Sequence, residues 1–201
     1  VAFGYRGMVS YVLEGNVTCS ADTLIWLRDE LELISDVTEV EMLAASVPDT
    51  QGVYLVPAFA GLGAPYFDEN ARAVLYGMNR GTRRAHVVRA ALESIAHQNA
   101  DVLDAMARDM GTPVRSLSAD GGGSVNTLLM QMQADFVPGR IICTNESDIT
   151  LYGVGQMAGL AVGLYQDYIP PCVRAVYEPQ MDDRRRSAMR AGWDDAVRRS
   201  R

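Results

Sequence analysis

The sequence has no lysine: all eighteen basic residues are arginine. That excludes a phosphate loop of the G-x-x-x-x-G-K-[ST] type, which needs its lysine at the β- and γ-phosphates. It also excludes a lysine Schiff base, and with it a covalently held pyridoxal. A compositional bias of the genome explains the missing lysine more simply than a functional device does. Cysteine is scarce. Cys19, Cys143 and Cys172 are far apart, odd in number and without a C-x-x-C pair, and neither His86 nor His97 lies near one of them. This argues against a zinc site or a disulfide framework and for the reducing cytoplasm. No apolar run reaches membrane-spanning length, and the start does not resemble a signal peptide. Positive charge is also short: 18 basic against 25 acidic residues give −7 and a sequence pI of about 4.8. Nucleic-acid binders usually carry the opposite sign.

What is present fits an ordinary globular chain: 201 residues, 48% apolar and 21% charged, with the length of one to two domains. The first residue is Val1, so a processed chain or a fragment is expected. Residues 5–18, rich in strand formers and broken by Gly7 and Gly15, suggest a hairpin. Ser20, Asp22 and Thr23 precede an amphipathic run that predicts a capped helix over 20–34, and a second short helix is expected over 36–46. Strands are expected at 53–59 and 72–78, with a Gly/Pro/Asp/Asn loop at 61–70 between them. Val88, Leu92, Ile95, Val102 and Met106 mark a long helix over 84–110, stopped by Gly111 and Pro113. A strand at 116–120, a helix at 124–136, a strand at 140–143, a helix near 149–163 and a charged helix at 182–200 follow. Alternating strands and helices in the second half, after a hairpin-like first half, predict an α/β domain with a mixed sheet.

The strongest local feature is Asp120-Gly121-Gly122-Gly123-Ser124, between an expected strand and an expected helix. Glycines there let a ligand approach the backbone closely. The helix start would offer free N–H groups and a positive dipole end to a phosphate. Asn126, placed in the first helical turn, would bond a ribose or base. A tight structural turn explains the same glycines, and local pattern does not separate the two readings. Gly153, Gly155, Gly159 and Gly163 are expected to pack a helix closely on the sheet, the last three sharing one face. His86 and His97 are eleven residues apart on one helix, ~16 Å at 1.5 Å per residue, too far to share a metal. Asp120 is placed either as a functional carboxylate or as a cap for the turn. Glu93, in an apolar stretch, should be paired. Asp29, Glu30 and Glu32 read as a solvated face, Arg184–Arg186 as a helix surface, and Met130 and Met132 as core filler.

Longer stretches carry a resemblance. AVLYGMNRGTRRAHVVRAALESIAHQ at 73–98 resembles a signature of the FGGY family of carbohydrate kinases, and PAFAGLGAPYFDENAR at 57–72 is similar to its glycerol kinase branch. YVLEGNV, WLRDEL, MQMQADF, AGLAVGLY, EPQMDD and AGWDDAV fit the same pattern along nearly the whole chain. The resemblance implies an actin-like ATPase (ribonuclease H-like) fold, with 1–201 as a single C-terminal, nucleotide-side domain. The polyol site and the general base would lie in an N-terminal domain outside this chain. The implied chemistry is transfer of the γ-phosphoryl group of ATP, taken as its Mg²⁺ complex, to a polyol or sugar hydroxyl in the cytoplasm. No nucleic acid or membrane is implied, and a homo-oligomer of the whole enzyme fits the resemblance.

In the resembling kinases, nucleotide contacts in this half come from a D-G-G-x-x-x-N loop, matched here by Asp120, Gly121, Gly122 and Asn126, with Gly123 beside them. They also come from a Gly and a Gln four residues apart ahead of W-L-R-D. Those positions hold Ala21, which still presents backbone, and Ile25, which has no hydrogen-bonding group. TLYGVG at 150–155 departs from the usual T-A-L-G-A-A. Two alternatives stay open: a non-catalytic actin-like nucleotide-binding or assembly module, and a kinase for another polyol or a ketose.

Overall fold

The computed structural model describes residues 3–5, 7–146 and 148–201. In chain order the elements are β1 (Phe3–Tyr5), β2 (Met8–Ser10), α1 (Asp22–Asp29), α2 (Glu39–Ala45), β3 (Tyr54–Val56), β4 (Val74–Tyr76) and α3 (Arg84–Met110). Then come β5 (Ser116–Ala119), a 3₁₀ turn (Gly122–Val125), α4 (Thr127–Phe136), β6 (Arg140–Thr144), α5 (Ile149–Ala161), β7 (Val173–Tyr177) and α6 (Asp183–Ser200).

The long periodic segment becomes one helix with the expected ends. α3 runs 27 residues and closes where Gly111 takes a left-handed φ of 68°, a conformation that costs glycine little. From Ala85 to Val102 nearly every α3 side chain is buried, because α1, α2, α4 and β3 all pack on it. Its apolar residues join Leu27, Val40, Val53, Leu129, Phe136 and Ile141 in the main core. β3 and β4 pair antiparallel, Tyr54 opposite Tyr76, and α6 covers them through Trp193 and Val197. β5 and β6 are parallel, as the strand–helix alternation predicts, while β6 and β7 are antiparallel, so the three-stranded sheet is mixed through β7.

Four expectations change. The hairpin is tighter than 5–18: β1 meets β2 across Gly7, at φ 79°, and Arg6 within it lies outside the described residues. The helix expected over 20–34 stops at Asp29. The Leu33 amide turns back to the Leu27 carbonyl and Glu32 adopts φ 52°, so Ile34 reaches the core from a loop. β7 escapes the sequence reading because VRAVY follows two prolines and only Ala175 and Tyr177 turn partly inward. The glycines of α5 do not pack on the sheet. A Cβ at Gly153 or Gly155 would meet open space, and one at Gly159 would strike the Tyr165 ring of the same segment.

The charged and polar helix residues sort as follows. Glu93 is buried and paired with Arg89, Nε to Oε1 at 2.8 Å, and Met130 and Met132 are core. Asp29, Glu30 and Glu32 are exposed. Arg184 and Arg185 are exposed, but Arg186 turns in to the carbonyls of Asp135 and Met181. His86 and His97 are both buried. Among the described residues no helix is long and apolar enough to cross a membrane.

Candidate functional site

The glycine loop sits at the carboxyl end of β5. Gly121 takes φ 75° and ψ −178°, which directs the chain out of the strand and into the 3₁₀ turn. The Ser124 amide and hydroxyl both return to the Gly121 carbonyl, and Arg174 on β7 donates to the Ser124 carbonyl at 2.6 Å. The loop is thus fixed from both sides. Gly122 needs no glycine for internal reasons: its φ is not left-handed, and a Cβ there would meet nothing within 4 Å. Gly123 would make only an ordinary contact, with Leu129 at 3.8 Å.

Beneath this loop lies a cavity of about 560 Å³. Gly122, Gly123, Val125 and Asn126 form one wall, Ala21, Leu24 and Ile25 a second, Val37, Thr38 and Glu41 a third, and Leu92, Ile95 and Leu129 the floor. The volume is in the range of small-molecule sites, which are mostly apolar with a few placed polar groups. The structure therefore brings Ala21, Gly122, Gly123 and Asn126 together. Gly121 shapes the loop without lining the cavity, and Asp120 is exposed at the strand end, away from the lining.

Two details correct the sequence reading. Asn126 is not in the first helical turn. It precedes α4 with extended backbone and caps it, its Oδ1 accepting from Leu129 N–H at 2.8 Å. Most donors of the helix start are taken as well. Glu41 of α2 accepts from the Thr127 hydroxyl and from Leu128 N–H, and Met130 N–H reaches the Asn126 carbonyl. These groups are already satisfied, so a phosphate gains little from the α4 dipole there. The donors left at this end of α4 are the Thr127 N–H, the Asn126 side-chain NH₂ and the loop backbone. Sequence reasoning missed Glu41, Thr38, Leu92 and Ile95. No local motif marks Glu41, since its partner Thr127 is 86 residues away.

The other charged clusters are closed structural networks. Asp101 accepts from Tyr66 and Trp193, both at 2.8 Å, and pairs with Arg190. Burial pushes the Glu93 carboxyl up, against the pull of Arg89. Burial, and then Arg190, hold His97 well below the usual imidazole range. Among the described residues no three His, Cys, Asp or Glu side chains are grouped to hold a metal. The three cysteines are unpaired, Cys19 and Cys143 buried and Cys172 exposed.

Comparison with known proteins adds to this geometry. Residues 3–162 match the FGGY family of carbohydrate kinases, C-terminal domain. Glycerol kinases from Shewanella baltica OS223 and Shewanella oneidensis are 47% and 46% identical over all of this chain, which spans 42% of each relative's length. Among solved structures, Plasmodium falciparum glycerol kinase with ADP matches at TM-score 0.83 and 34% identity, over 90% of this chain and 37% of that one. Gluconate kinase from Lactobacillus acidophilus matches at TM-score 0.75 and 21% identity, over 92% of this chain and 38% of that one, a likeness of fold alone.

Proposed function

Because the chain belongs to the FGGY family of carbohydrate kinases and carries the family's actin-like ATPase fold, we propose that it is the nucleotide-side domain of an ATP-dependent polyol kinase, glycerol being the first acceptor to test. The observation that carries this reading is the 560 Å³ apolar cavity under a glycine loop whose Gly122 has no internal need to be glycine. A ligand that comes close to the backbone supplies the missing reason.

In this reading the base and ribose enter the cavity between Ala21 and Asn126, and the phosphates run out past Gly121–Gly123. Asn126 donates from its NH₂ while its oxygen holds α4. Asp120 stays a neighbour of the loop rather than a contact in the cavity. Mg²⁺ belongs to the substrate as Mg–ATP, since such ions are commonly held by phosphates and one or two carboxylates. The protein's part in phosphoryl transfer is positioning and charge stabilisation. The acceptor hydroxyl, and the base that takes its proton, are assigned to protein outside these 201 residues, because the chain spans 42% of its relatives' length. A cytoplasmic setting fits the unpaired cysteines.

The test is a titration of ATP into the chain and into Gly122→Ala. The added methyl meets no protein atom, so stability should stay within about 0.5 kcal/mol. Nucleotide affinity should fall about tenfold, which is about 1.4 kcal/mol. Unchanged affinity in the variant, or no ATP binding at millimolar concentration in the parent, overturns the reading.

A further inference from the structure

The cavity is apolar on most of its wall; its polar side chains are Thr38, Glu41 and Asn126. Two of these are fixed by the α4 start in complementary states. Asn126 spends its oxygen on Leu129 N–H and presents an NH₂ donor. Glu41 spends Oε1 on the Thr127 hydroxyl and Leu128 N–H, while Oε2 takes no hydrogen bond from a described residue. One cavity thus holds an anchored donor and an anchored acceptor.

We propose that Glu41 reads the six-position of the purine, accepting from the exocyclic amine of adenine and opposing a six-keto base. This rests on the nucleotide reading above. Adenine pairs an amino donor with ring-nitrogen acceptors, whereas six-keto purines put an acceptor oxygen where the amine stood. An apolar pocket alone discriminates weakly between bases of the same shape. A placed polar partner discriminates far more, because the wrong base leaves it unpaired. Glu41 suits that task because α4 holds it in place before any ligand arrives.

The experiment displaces a fluorescent adenine nucleotide from the 201-residue chain with ATP, inosine triphosphate and purine riboside triphosphate, which lacks a six-position group. The parent chain should prefer ATP over each by about tenfold or more, the scale of a hydrogen bond to a charged group. Glu41→Gln keeps an oxygen for Thr127 and Leu128 and replaces the free acceptor with an NH₂. Its ATP-to-inosine-triphosphate ratio should fall to about one or below. Equal affinity of the parent for all three, or a ratio unchanged in the variant, overturns the inference while the nucleotide reading stands. Failure of the parent to bind any of the three overturns both. If the variant does not fold, the parent's three-ligand ranking decides the matter.

Discussion

His97 lies between two aromatic planes, 4.2 Å from the Phe136 ring and 5.0 Å from the Trp193 ring between centroids, with Arg190 donating to its carbonyl at 3.0 Å. A cation there would be desolvated and would face the Arg190 guanidinium, so the folded imidazole stays neutral well below 6.5. The unfolded chain binds a proton at His97 below about 6.5 and the folded chain does not. Stability contributed by the neutral ring is therefore full above that pH and lost as pH falls through it, by up to about 1.4 kcal/mol per pH unit. Glu93 works in the opposite sense: its raised value makes the folded state hold a proton longer, so its own contribution falls as pH rises above about 4.5. Comparing the parent with His97→Phe separates them, since Glu93 is common to both. Phenylalanine keeps the stack, and Arg190 keeps Asp101 and the backbone carbonyl. Denaturant midpoints between pH 7 and 5 should fall less steeply in the variant; equal slopes would refute the assignment.

At the scale of elements, the start of α4 joins fold and site. Asn126 Oδ1 caps the helix, and in the proposed reading its NH₂ donates to the nucleotide, so one residue would serve two tasks that a substitution can separate. Asp caps a helix about as well as Asn. Asn126→Asp should therefore leave the melting temperature near the parent's. It should weaken ATP binding about tenfold, because a donor becomes an acceptor carrying charge. A variant that melts early and binds ATP normally would reverse the two roles. The same element shows what sequence can and cannot reveal. α3 was legible to its ends because its period is long and Gly111 marks the stop. The break at 122–126 was not, because a 3₁₀ turn and an Asn cap use residues that also suit a helix start. Glu41 was invisible for a different reason: its role is created by a contact 86 residues away, and nothing within α2 announces it.

At the scale of the whole molecule, the family was legible in long motifs, while the division of labour depends on length. The chain matches its relatives from end to end yet spans 42% of them. Its cavity offers shape, loop backbone and the polar side chains of Thr38, Glu41 and Asn126, but its lining carboxylate, Glu41, is bound to α4 through Thr127 and Leu128. A carboxylate held in that way is poorly placed to take a proton from an acceptor hydroxyl at the far end of a triphosphate, where a general base must come within hydrogen-bond reach. Binding and turnover should therefore separate. The purified 201-residue chain should bind ATP and yet release ADP at background rate when glycerol and Mg²⁺ are added. The check is a coupled ADP assay run beside the displacement titration on the same preparation. Glycerol-dependent release above background would place the base within these residues and overturn the assignment of the acceptor half elsewhere.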